Sequence, residues 1–174
     1  MPTEISGSTG VNKIQDGTVV DADINSSAAI AGSKISGSFG KVLQVVSNEV
    51  TASAHSTTSQ SYVSTTCTGT ITPTLASSKI LVLMSASGSS EGNARSLFYT
   101  LYRGSSNIGH SNGFGMLYDD NGRTRAPINL NYLDSPNTTS ATTYTLYYKS
   151  GNTSAVELPP QQFTFVTTLL EIAG

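Results

Sequence analysis

The stretch Ser78-Lys79-Ile80-Leu81-Val82-Leu83-Met84-Ser85 decides how the rest of the chain is read. It is the only long run that is apolar at both phases of an extended strand. Leu81 and Leu83 fall on one face, and Ile80, Val82 and Met84 fall on the other. A strand with two apolar faces belongs in the middle of a sandwich or at a subunit interface. The runs around it alternate more cleanly, as strands with one wet face do.

Working outward, a first strand is expected over 41–50, with Val42, Val46 and Val50 as its apolar points. Residues 57–72 hold one or two more, closed by Pro73. After the central run, 85–94 reads as a Ser/Gly loop. Residues 96–103 set Leu97, Tyr99 and Leu101 against Phe98, Thr100 and Tyr102. A loop over 104–113 leads to a short strand at 114–118, and Asp120-Asn121-Gly122 is a tight-turn signal before a strand at 126–133. Residues 142–149 place Tyr144, Leu146 and Tyr148 on one face. Pro159-Pro160 bars pairing, and 163–170 closes the domain. About eight or nine short strands at roughly 10-residue spacing, without helical periodicity, predict an antiparallel sandwich or barrel.

Composition agrees. Charged residues make up 11% of the 174 residues, against about a quarter in a typical globular chain. Fifty Ser and Thr residues take their place, which suits β-rich extracellular or virion surfaces. A net charge of −2 makes no electrostatic case for nucleic acid or an anionic membrane. Cys67 is alone, so no disulfide framework forms, and its alternating surroundings predict a buried, inert thiol. The start, Met-Pro-Thr-Glu-Ile-Ser-Gly, lacks the basic and apolar regions of a signal peptide. No run reaches the roughly 20 apolar residues that span a bilayer. Synthesis in a cytoplasm, with use there or release by lysis, is the expectation.

Residues 1–40 form a separate segment of small and polar residues with isolated aliphatics. Alone it cannot bury enough apolar surface to offset its ordering entropy, so copies of itself or a partner protein must hold it. The stretch Val11-Asn-Lys-Ile-Gln-Asp-Gly-Thr-Val-Val-Asp-Ala-Asp-Ile-Asn-Ser-Ser-Ala-Ala-Ile-Ala-Gly-Ser-Lys-Ile35 resembles the stalk repeat of bacteriophage tail-fibre and related virion proteins, whose units line threefold shafts. One copy implies a short collar or adaptor. The runs "SSKILVLMSASG", "SLFYTLYRG", "YLDSPNTTSATTYTLYYKSG" and the closing "EIAG" resemble the C-terminal domains of such proteins. Those are jelly rolls of tumour-necrosis-factor-like (TNF-like) shape that assemble as trimers. The resemblance covers 41–174. It implies an all-β, antiparallel, jelly-roll-like sandwich preceded by an extended attachment segment.

Chemistry is harder to find. Gly88-Ser89-Ser90-Glu91-Gly92 spells the Gly-x-Ser-x-Gly elbow, but that elbow needs a helix after it and the following residues read as a strand. His110 and Asp134 have no spacing that makes them triad partners. Asp16, Asp21 and Asp23 read as solvated acids with turn hydrogen bonds, with a cation on a trimer axis as the alternative. His55 and His110 lack companions at ligand spacing, and no nucleotide-binding fingerprint occurs. No cofactor, metal or enzymatic activity is expected.

The resemblance implies a virion structural protein: a homotrimeric short tail fibre or fibre tip, attached to tail or baseplate proteins and presenting its β domain to a host surface glycan or protein. The alternative is a capsid-decoration or head-fibre protein that stabilises the shell; an enzymatic depolymerase ranks third. Ile14, Ile24, Ile30 and Ile35 are the expected trimer and particle contacts. Tyr118, Asp120, Arg123 and Arg125 are the expected receptor contacts, in a loop region rich in Gly and Asn, with a satisfied hairpin as the bland account of the same residues.

Overall fold

The computed structural model describes residues 42–91, 95–120 and 122–174, the side chain of Glu91 excepted. The expected attachment residues Ile14, Ile24, Ile30 and Ile35, and the acids Asp16, Asp21 and Asp23, lie outside the described residues. Eleven strands are described: β1 Val42–Ala52, β2 Ser56–Thr57, β3 Val63–Ile71, β4 Lys79–Glu91, β5 Arg95–Arg103, β6 Ser106–Asn107, β7 Gly115–Asp119, β8 Arg123–Asp134, β9 Thr142–Ser150, β10 Val156–Glu157 and β11 Phe163–Ile172.

They form two antiparallel sheets. Sheet A runs β1-β11-β4-β8, and the short pair β10-β2 continues beside the far half of β4. Sheet B runs β3-β9-β5-β7, with β6 beside the end of β5. The described residues are therefore all-β, a two-layered sandwich, as their alternating runs predict.

The core is what period-two patterning places between the layers. Sheet A contributes Ile80, Val82 and Met84 of β4, Ile128 and Leu130 of β8, and Phe165 and Leu169 of β11. Sheet B answers with Leu97 and Leu101 of β5, Tyr144, Leu146 and Tyr148 of β9, and Cys67 and Ile71 of β3. Each fully buried large aliphatic or aromatic side chain contributes about 2 kcal/mol from water exclusion alone.

One expectation is narrowed and one needs correction. Among the described residues the central run is covered on one face only. Ile80, Val82 and Met84 face sheet B, whereas Leu81 is half-exposed and Leu83 is 39% exposed on the outside of sheet A. Nor do residues 85–94 form a loop from their start, because β4 continues through Ser85 to Glu91, paired with β8 along its whole length. Small residues there keep the strand close to its neighbours. A Cβ on Gly88 would come within 2.9 Å of both Ile128 and Leu117.

Polar side chains tie the layers together. Gln44 Nε2 donates to Thr72 O at 2.7 Å and Asn48 Nδ2 to Thr68 O at 2.8 Å, so β1 is laced to β3 along one open side. Across the core, Asp134 of β8 accepts Arg103 Nη1 at 2.9–3.0 Å and Tyr144 Oη at 2.6 Å. Burial, then the bond to Asp134, raises the Tyr144 hydroxyl pKa, which keeps it a donor. Glu171, fully buried at the end of β11, holds the β3–β4 loop. Its Oε1 accepts Thr74 N at 2.7 Å and Thr74 Oγ1 at 2.8 Å, and its Oε2 accepts Gln44 Nε2 at 2.6 Å.

Candidate interaction surfaces

The outside of sheet A carries the first candidate. Register pairs Val45 with Leu170, Leu170 with Leu81, and Leu81 with Leu133. Four aliphatic side chains therefore form one straight row across β1, β11, β4 and β8. Val45 is 58% exposed and Leu133 48%, with Leu83 in the adjacent row. An isolated exposed aliphatic needs no explanation, but a row spanning every long strand of a sheet is a patch. Ser47, Thr168 and Asn131 border it. Beside it lies a depression of about 240 Å³ bounded by Leu83, Ser85, Asn129, Asn131, Val166 and Thr168. The Ser85 hydroxyl donates to Asn129 Oδ1 there at 3.2 Å.

A second feature is a cleft of about 420 Å³ between the free edges of β1 and β3, above the Gln44 and Asn48 lacing. Its walls include Val50, Ala52, Ser64, Thr66, Leu158 and His55. His55 Nδ1 stands 2.6 Å from Tyr148 Oη. Among the described residues no charged side chain lines it, and these walls favour no particular chemistry.

The four expected receptor contacts are not brought together. Tyr118 is 49% exposed on the outside of sheet B, where its hydroxyl donates to Asp120 Oδ1 at 3.4 Å. Arg123 and Arg125 belong to β8 and project from the outside of sheet A. Arg123 Nη2 pairs with Glu157 Oε2 at 3.0 Å, on the side of β4 away from β8. The turn between β7 and β8 carries the chain from one sheet to the other, so residues close in sequence end on opposite surfaces. Nor do β7 and β8 form the hairpin that was the bland account of these residues, because β7 pairs with β5 in one sheet and β8 with β4 in the other.

Gly88 to Glu91 of the Gly-x-Ser-x-Gly match lie in strand β4. Ser90 is fully buried and its hydroxyl donates to Arg95 O at 3.0 Å, so it is no nucleophile. Asp134, weighed as a triad partner, is the buried acceptor of Arg103 and Tyr144. Among the described residues no three His, Cys, Asp or Glu side chains cluster, and no helix is long and apolar enough to cross a membrane. Cys67 is buried as expected. Burial raises its thiol pKa, against a smaller lowering by Thr167.

Val45, Leu133 and Leu170 did not stand out in the sequence. Each is one apolar residue in an alternating strand, and only the register lines them up. No family model matches the chain, and no curated protein matches it. Among solved structures, the chain is similar to one in the structure of infectious bursal disease virus Gx strain, with 13% identity and a TM-score of 0.37. The match covers 83% of this chain and 42% of that one, so this chain spans less than half the length of its neighbour. At that level of superposition the likeness says nothing about shared function.

Proposed function

We propose that the chain is a non-enzymatic phage virion protein, a homotrimeric short tail fibre or fibre tip. Its N-terminal 40 residues attach to the particle through Ile14, Ile24, Ile30 and Ile35, and its β domain faces the host surface. The observation that carries this reading is the row Val45–Leu170–Leu81–Leu133 on the outside of sheet A. In a chain with so many Ser and Thr residues, such a row is kept for covering, and further copies of the same chain are the cover. The strand order supports a jelly roll. Successive long strands pass between the sheets at nearly every connection, giving four in one layer and four in the other. The stalk resemblance supports threefold symmetry.

Light scattering on the intact chain should give close to three times 18.1 kDa. Leu81→Asp, which puts a charge in the middle of the row, should give a folded monomer with unchanged far-UV circular dichroism. A wild-type monomer at micromolar concentration would sink the assembly. Gold labelling of virions then decides position: label at the tail supports the fibre, and label spread over the head replaces it with shell decoration.

A further inference from the structure

The outside of sheet B differs in kind from that of sheet A. Met116 of β7 faces Phe98 of β5, and Phe98 faces Lys149 of β9. The Lys149 Nζ lies 4.6 Å from the centroid of the Tyr62 ring and 5.6 Å from that of Phe98. Beside this row Tyr102 stacks on Tyr147, with centroids 3.8 Å apart and planes at 18°, and Tyr62 meets Tyr102 edge-on at 6.4 Å. Where the row on sheet A is aliphatic, this cluster on sheet B is aromatic and hydroxylated around one ammonium.

Among the described residues the cluster hydrogen-bonds to the neighbouring loop only at Ser111 O, which accepts Tyr62 Oη at 3.4 Å and Lys149 Nζ at 3.5 Å, both long contacts. Residues 107–114 are already tied by Thr100 Oγ1 to Asn107 Oδ1 at 2.8 Å, Ile108 N to Leu101 O at 3.0 Å and Phe114 N to Tyr99 O at 2.8 Å. Gly113, at φ +83°, sits where a Cβ would strike the Tyr99 carbonyl and the Tyr62 hydroxyl. An aliphatic residue at 149 would serve packing as well. Instead there is a half-buried ammonium whose one hydrogen bond is to Ser111 O at 3.5 Å, with no carboxylate partner among the described residues. The hydroxyls of Tyr102 and Tyr147 likewise have no partner among the described residues.

We infer that this ledge binds an acidic saccharide. Sugar rings present apolar C–H faces and hydroxyl edges, which match aromatic faces edged by phenol hydroxyls. A carboxylate or phosphate substituent completes the match at Lys149, where partial desolvation strengthens the ion pair. The chain's net charge of −2 gives polyanions no general attraction, so one local cation acts as a selector. The ledge rests on the proposed assembly in one respect: it stays open because sheet A, not sheet B, is covered.

The chain contains no Trp, and Tyr62, Tyr102 and Tyr147 are three of its eight Tyr residues, so a ligand on the ledge should perturb tyrosine emission. Trigalacturonic acid should change that emission saturably and bind about tenfold or more tightly than maltotriose, with an affinity that falls as salt rises. Inorganic phosphate alone should not saturate over the same range. Lys149→Met should lose about tenfold for trigalacturonic acid, leaving maltotriose binding and the melting curve unchanged. Tyr102→Leu should weaken both sugars. Absence of saturable binding, equal affinity for the acidic and neutral sugars, phosphate binding as tight as trigalacturonate, or an unaffected Lys149→Met would each overturn the assignment. Particle mass measured on the same samples separates the two readings. A monomer that binds the acidic sugar keeps the ledge and loses the trimer, and a trimer that binds neither sugar does the reverse.

Discussion

Glu171→Gln is the sharpest probe of how the sandwich is closed at one end. The carboxylate is fully buried, yet it accepts hydrogen bonds from Gln44, from the Thr74 amide and from the Thr74 hydroxyl at 2.6–2.8 Å. Burial alone would push its pKa up. The donors Gln44, Ser78 and Thr74 outweigh burial and hold it at about 2, against an ordinary 4.5. The Ser78 hydroxyl acts by proximity, since it is buried without a partner in hydrogen-bonding geometry. A folded-state pKa below the unfolded one adds stability that is complete above pH 4.5 and lost as pH falls through about 2. At 1.36 kcal/mol per pH unit the ceiling is ~3 kcal/mol. Gln44 is only half-buried and Thr74 is exposed, so solvent screening brings the expected value to about 2 kcal/mol. The glutamine amide also sets a donor against donors, which costs the variant a hydrogen bond. Urea unfolding at constant ionic strength and fixed protein concentration should show the variant about 2 kcal/mol less stable at pH 7. The gap should narrow below pH 4.5 and close near pH 2. Wild-type and variant curves that stay parallel over that range would refute the reasoning, because the loss would then come from packing and not from the charge.

Two further outcomes follow from the interior. Asp134→Asn keeps an acceptor for Tyr144 but leaves Arg103 without its counter-charge; with Arg103 34% exposed, a loss of about 2 kcal/mol is expected in thermal unfolding, and a loss below ~0.5 kcal/mol would show that the bridge is screened. Cys67 should resist iodoacetamide in the native protein and react fully in denaturant, since it is buried and its thiol pKa is raised; rapid native labelling would mean that β3 opens locally.

How much of this was legible beforehand depended on how local the deciding physics is. Alternation needs only neighbours in sequence, so Leu97, Leu101, Tyr144, Leu146 and Tyr148 could be assigned to the core from their own strands. Pro73 and the turn signals marked ends correctly for the same reason. The continuation of β4 through Ser85–Glu91 was hidden, because small polar residues have weak strand preference and are held there by pairing with β8. The grouping of Tyr118 with Arg123 and Arg125 failed because a chain crossing between sheets sends adjacent side chains to opposite surfaces.

By itself the sequence determined the all-β class, the approximate positions of most long strands, the buried thiol and the two apolar faces of the central run. All four follow from patterns within a single strand. Only the tertiary structure decided which face of that run its own chain covers. It also aligned Val45, Leu170, Leu81 and Leu133 into one row and gathered Tyr62, Phe98, Tyr102, Tyr147 and Lys149 on the opposite side of the sandwich. Those surfaces are set by register between strands that are in places more than a hundred residues apart, as Val45 and Leu170 are. Register is an energy shared by two segments, and neither segment carries it alone.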